Sequence, residues 1–208
     1  GEPLLHHEFI TIFRYLRDTY PHLKIRVISN GTLLDEELCS EFAGNLTRIR
    51  ISLNAATKET WKKLMRGNSF TKVCDGIALL SESKQRIGSI TPEIILLMVL
   101  NRQNIHETVQ LIELASQLGV QSVQFAHFSK AIMPKSEMSL ADSIYYDRRN
   151  TDMWLAESEK KAKESGIKIL SRPLPFSSKH QFYFHGNRIE RPYKFCYFPW
   201  QTCYVTRE

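Results

Sequence analysis

Glu93-Ile94-Ile95-Leu96-Leu97-Met98-Val99-Leu100 is the stretch on which the fold turns. The apolar run behind Glu93 is far too short to span a bilayer, which takes about 20 residues. It also offers no alternating polar face to solvent. A strand of this composition belongs inside a parallel sheet, where both faces are covered.

Working outward toward the N-terminus, the same rhythm repeats. Arg48 to Leu53 reads as a strand, and Thr57 caps a helix that carries Trp61, Leu64 and Met65. A second helical stretch runs from about residue 71 to 80. Lys24 to Ser29 is a further strand running into the turn Asn30-Gly31. After it, Thr32 with Asp35 three residues on predicts a capped helix with Leu38 and Phe42 inward. The first helical pattern places Phe9, Ile12, Phe13 and Leu16 on one face, with Pro21 beyond its end.

Toward the C-terminus, Asn104 and Glu107 have the spacing of a capping box. The helix they open bears Val109, Ile112, Ala115 and Leu118 and closes at Gly119. Residues 120–128 form the next strand, within which Phe125 reads as a core residue. A long charged helix over roughly 145–165 ends at Gly166, and Ile167 to Leu170 is a short strand.

Alternation of this kind means βα units and a parallel sheet with right-handed crossovers. A doubly wound sheet and a barrel both satisfy it. In either, the working residues sit at the C-terminal ends of strands. That directs attention to Gly1-Glu2, Ser29-Asn30, Ser52 to Asn54, Asn101 and His127, which closes its strand toward the mouth.

A length of 208 residues with 42% hydrophobic and 24% charged residues suits one large α/β domain, or one domain and part of a second. The formal charge of +6 favours an anionic partner. Its densest run, Lys160-Lys161-Ala162-Lys163, reads as a solvated helix face, which argues against nucleic acid as the partner. No apolar stretch is long enough for a membrane span, and His6, His7 and Glu8 break any leader-like segment. Cysteines at 39, 74, 196 and 203 follow no disulfide framework, so a reducing cytoplasm is expected. The opening at Gly1 without Met, and the stop just after a strand-like run, suggest a piece of a longer protein.

The order of the polar strand ends carries a family resemblance. Gly1-Glu2-Pro3-Leu4-Leu5 resembles the end of the Gly-Gly-Glu-Pro motif after the second barrel strand of radical S-adenosylmethionine (SAM) enzymes. Ile28-Ser29-Asn30-Gly31 is similar to the end of that family's third strand, and Ile51-Ser52-Leu53-Asn54-Ala55 to the end of its fourth. Leu64-Met65-Arg66-Gly67 and Val99-Leu100-Asn101-Arg102-Gln103-Asn104-Ile105 continue the match, which covers about 1–128.

The resemblance implies an α/β fold: a partial (β/α)6 TIM-like barrel of parallel strands over 1–170. It implies SAM as cofactor, bound to a [4Fe–4S] cluster whose Cys-x-x-x-Cys-x-x-Cys loop would lie upstream of Gly1. By carry-over, Gly1, Glu2 and Pro3 contact the methionine amino group, and Ser52 and Asn54 hold the ribose hydroxyls. Ser29 and Asn30 line the same pocket, Arg66 pairs with the carboxylate, and Asn101 borders the adenine beside Val99 and Leu100. Without the cysteine loop the segment alone is expected to be inactive.

Near the end, Cys196-Tyr197-Phe198-Pro199-Trp200 resembles the opening of the SPASM or twitch extension. This implies a connector over 171–191 and the start of an auxiliary-cluster domain over 192–208. The same resemblance implies that Cys196 is a ligand of an auxiliary [4Fe–4S] cluster. The implied function is an oxidoreductase that abstracts hydrogen from a peptide, protein or small metabolite, fed by a ferredoxin or flavodoxin. The alternatives are a non-catalytic binding scaffold on the same barrel, or an RNA-modifying or RNA-binding module.

Overall fold

In the computed structural model, which describes residues 1–128 and 140–173, the apolar run becomes the middle strand of one parallel sheet. The elements are α1 (Phe9–Thr19), β1 (Arg26–Ser29), α2 (Glu36–Phe42), β2 (Arg48–Ser52), α3 (Lys58–Met65) and α4 (Phe70–Arg86). They continue with β3 (Glu93–Leu100), α5 (Thr108–Gln117), β4 (Ser122–His127), α6 (Arg148–Ser165) and β5 (Lys168–Ile169). Strand order is β1-β2-β3-β4-β5, so each strand lies beside the next in sequence. A doubly wound sheet must reverse direction partway. This order does not reverse, and right-handed crossovers then put every helix on the same face. The result is an arc of a barrel.

Strand alternation sorts the side chains. Val27, Ile49, Ile51, Ile94, Leu96 and Met98 face the helices and are buried in the common core. Registers Ile49↔Ile94 and Ile51↔Leu96 stack them in rows. Arg26, Ile28, Arg48, Arg50, Ser52, Leu97 and Val99 consequently point to the opposite, open face. Because all five strands run parallel, their C-terminal ends lie along one edge of the sheet.

Two local expectations are corrected. The cap of α2 is Asp35, whose Oδ1 accepts the Leu38 amide at 2.9 Å, while Thr32 instead bonds back to Asn30. On α1 only Phe13 is fully buried, and Ile12 is 47% exposed, so the apolar stripe is narrower than its spacing suggests.

Helix α4 approaches the turn after β1 closely, and Gly76 is what allows it. A Cβ built there would lie 2.8 Å from Leu34 Cβ and 3.2 Å from the Leu34 carbonyl oxygen. Neither is the end of a flexible side chain, so the helix itself would have to move. Gly76→Ala is expected to cost about 2 kcal/mol through overpacking, despite the better helix propensity of Ala. A calorimetric scan should show a fall of roughly 4–8 °C for a domain of this size; an unchanged or raised midpoint would refute the close approach.

At the opposite end of the sheet, Lys84 is 5% exposed. Its ammonium donates to the carbonyls of Ile90 at 3.2 Å and Pro92 at 3.1 Å, and to Gln121 Oε1 at 3.4 Å. Burial pushes its pKa down. These acceptors compensate the buried charge, giving Lys84 a structural role away from the strand ends.

Candidate functional site

The edge formed by the C-terminal ends of β1, β2 and β3 is knitted together by side-chain hydrogen bonds. Glu2 starts it. One carboxylate oxygen accepts the Leu4 amide at 3.2 Å, capping the 3-10 turn Pro3–Leu5, and the other accepts the Asn30 amide at 2.6 Å. The N-terminal segment is thus tied to the end of β1 through a single acid. Asn30 Oδ1 then accepts both the amide and the hydroxyl of Thr32, at 2.9 and 2.6 Å. Gly31 takes φ +76°, a left-handed turn conformation that favours glycine.

The loop after β2 is held from β3. Asn54 Oδ1 accepts the Val99 amide at 2.9 Å. Asn104 is fully buried, and its Nδ2 donates to the carbonyls of Asn54 at 3.0 Å and Val99 at 2.9 Å. Its Oδ1 accepts the Asn101 amide at 2.8 Å. Glu107, 3% exposed, accepts the Ala56 amide at 2.7 Å and the Thr57 hydroxyl at 2.6 Å. Thr57 in turn caps α3 by accepting the Thr60 amide. Asn104 and Glu107 therefore do not form the capping box their spacing predicts. They reach some 50 residues back in sequence to brace the other loop.

The expected site residues divide on this geometry. Glu2, Asn30, Ser52 and Asn54 lie on or beside the open edge, all half-buried. Gly1 is exposed, with no atom near the position of a Cβ, and Pro3 opens the turn that Glu2 caps. Ser29 is 3% exposed and shares a face with Val27 in register with Ile51, so it points to the helices; its Oγ holds the Gly31 amide. Asn101 is 2% exposed, and its side chain bonds within its own turn, to the Gln103 amide and the Val99 carbonyl. Leu100 is buried in the core, leaving Val99 as the member of that trio on the open face. Arg66 is an exposed left-handed cap at the end of α3.

His127 is corrected as well. Its register partner is Leu100, which places it on the helix side, where Nε2 lies 3.0 Å from Ser143 Oγ. Phe125 is a core residue on that same side. Cys196, Cys203 and the connector beyond 173 lie outside the described residues. Cys39 and Cys74 sit in α2 and α4, and burial pushes their thiols up to about 12 and about 11. Thiols that resist ionisation make poor metal ligands. Among the described residues, no group of three or more His, Cys, Asp or Glu gathers to hold a metal, and no helix is long and apolar enough to cross a membrane.

Chemically, the edge presents one carboxylate with spare acceptor capacity and one hydroxyl, Ser52, with no hydrogen-bond partner among the described residues. It also presents the Asn54 amide, whose Nδ2 reaches only the Met65 thioether at 3.9 Å. This donor and acceptor set fits an ammonium group beside a sugar diol, the polar parts of SAM. Three residues bracing it, Asn104, Glu107 and Thr57, were not legible as site residues, although an Asn within a polar turn was the available signal.

A profile of the Radical SAM superfamily matches residues 1–115. A probable GTP 3',8-cyclase of Saccharolobus islandicus is 32% identical over 123 residues, covering 59% of this chain and 38% of that protein. In fold, the chain is similar to anSMEcpe solved with AdoMet and the Cp18Cys peptide, at TM-score 0.61 and 19% identity, over 81% of this chain and 47% of that one. It is also similar to SuiB of Streptococcus suis, solved bound to its precursor peptide SuiA, at TM-score 0.59 and 11% identity, over 82% and 37% of the two chains. The match thus spans less than half the length of each of these proteins. On the profile match, the shared fold and the edge of polar strand ends, the chain belongs to the radical SAM superfamily.

Proposed function

We propose that this chain is the SAM-binding arc of an enzyme that abstracts hydrogen from a peptide, protein or small metabolite. The observation that carries the reading is the gathering of Glu2, Ser52 and Asn54 on one strand-end edge, with the Ser52 hydroxyl unengaged. When bound, SAM on a reduced [4Fe–4S] cluster supplies one-electron chemistry that generates a hydrogen-abstracting radical.

The chain's own residues bind and orient. Glu2 accepts hydrogen bonds from the methionine ammonium while keeping the end of β1 in place. Ser52 and Asn54 hold the ribose hydroxyls, and Val99 lies beneath the adenine. The Asn104 and Glu107 braces fix the loop that carries Asn54, so the cofactor is placed without a rearrangement at the moment of reaction. Arg66 pairs with the methionine carboxylate, and Asn101 and Ser29, held within their own turns, support this edge from its flanks. Cys196 is assigned to an auxiliary cluster, and a ferredoxin or flavodoxin to electron supply. The names of the relatives support both nucleotide and peptide substrates.

The test is anaerobic incubation of the whole protein, reconstituted with iron and sulfide, with SAM and dithionite. Formation of 5′-deoxyadenosine and methionine is expected. SAM bound but never cleaved would favour a non-catalytic scaffold on the same barrel.

A further inference from the structure

Arg50 lies in the middle of β2 on the open face, and its register partners are Ile28 on one side and Ile95 on the other. Neither can pair with a guanidinium. Its Nε is buried and has no hydrogen-bond partner, and no ion pair to Arg50 forms among the described residues. The carboxylate nearest in the sheet, Glu93, is already engaged. Arg48 holds it at 2.5 Å, and Ser122 Oγ donates to its other oxygen at 3.3 Å. Arg26 adjoins Arg48 in register and adds a further positive charge to the same face.

An arginine cannot shed its proton to escape burial. Arg50 is half-buried, and a charged Nε–H shut off from solvent without an acceptor is unfavourable, so an acceptor is expected where the face is in use. The planar fork of guanidinium donors matches a phosphate or carboxylate bidentately. Arg50 is two residues before Ser52 on the same face, about 7 Å along the strand. An anion seated on it would therefore belong to a molecule lying directly beneath the ribose-binding residues.

We propose that Arg50 anchors an oxyanion, phosphate or carboxylate, of the substrate on the open face of the sheet, with Arg26 adding to the local positive potential. This rests on the reading of Ser52 and Asn54 as the SAM edge, and it names the substrate as anionic.

The test is calorimetric titration of the whole protein with inorganic tripolyphosphate and, separately, with tricarballylate, with and without SAM. The parent is compared with Arg50→Met and Arg50→Lys. One anion should bind the parent, with Kd raised at least tenfold in Arg50→Met and partly restored in Arg50→Lys, while SAM affinity stays within twofold. Preference for tripolyphosphate identifies a phosphorylated substrate, and preference for tricarballylate a carboxylate. The inference is overturned if neither anion binds the parent, or if Arg50→Met binds as the parent does. It is also overturned if Arg50→Met loses SAM affinity along with the anion, which would make Arg50 part of the scaffold. A parent that binds an anion through Arg50 but never SAM would instead refute the SAM edge.

Discussion

Asn104→Ala is expected to lower the stability of the protein by roughly 3 kcal/mol and to weaken SAM binding at least tenfold. The side chain is fully buried and makes three hydrogen bonds, all to backbone groups at the ends of β2 and β3. Alanine leaves the Asn101 amide and the carbonyls of Asn54 and Val99 without these partners, and each buried unsatisfied group costs about 1–3 kcal/mol. Some of that is recovered by the carbonyls, since Val99 also accepts from Asn101. A fall of about 9 °C in the thermal midpoint follows from the usual scaling for this size. The binding loss follows separately, because the loop from Ser52 to Thr57 loses its brace on one side. Asn104→Asp keeps the acceptor for Asn101 and removes both donors. Because it sets a buried carboxylate oxygen against two carbonyl oxygens, it should be no more stable than alanine and should also lose SAM affinity. Unaltered SAM binding in both variants would show that the brace does not position the edge.

Glu2→Gln separates charge from shape. Glutamine keeps an oxygen for one of the two amides that Glu2 now receives, Leu4 and Asn30, and removes the negative charge. Hydrogen bonds to a charged group contribute about 1.5–3 kcal/mol. With 1.4 kcal/mol per factor of ten, SAM affinity should fall about 10–100-fold. The thermal midpoint should move by only a few degrees, since the turn at Pro3–Leu5 can still be capped. Calorimetric titration of SAM into the reconstituted whole protein reads both numbers. A lost fold with unchanged affinity per folded molecule would make Glu2 a purely structural tie.

Much of the fold could be read from sequence because its signals are local. The run at 94–100 has no polar face, and Thr57, Gly119 and Gly166 mark helix ends by short-range hydrogen bonds or left-handed φ. Strand ends then follow, and with them Glu2, Ser52 and Asn54. What escaped was long-range. Glu107 sits three residues after Asn104, the spacing of a capping box, yet its carboxylate bonds Ala56 and Thr57. Sequence spacing cannot report a partner that only the sheet brings near. The face of a strand's last residue was equally hidden. Ser29 and His127 each end a strand, but which face each takes depends on register with Ile51 and Leu100. Asn101 read as a ligand-facing amide because strand ends often carry one, and the structure uses it inside its own turn.

A crystal structure of the reconstituted whole protein with SAM shows whether the edge built from β1, β2 and β3 holds the cofactor. The methionine ammonium is expected within hydrogen-bond distance of the Glu2 carboxylate, and the ribose hydroxyls within reach of Ser52 and Asn54. SAM seated elsewhere on the sheet, or a ribose with no contact to either residue, would contradict that placement.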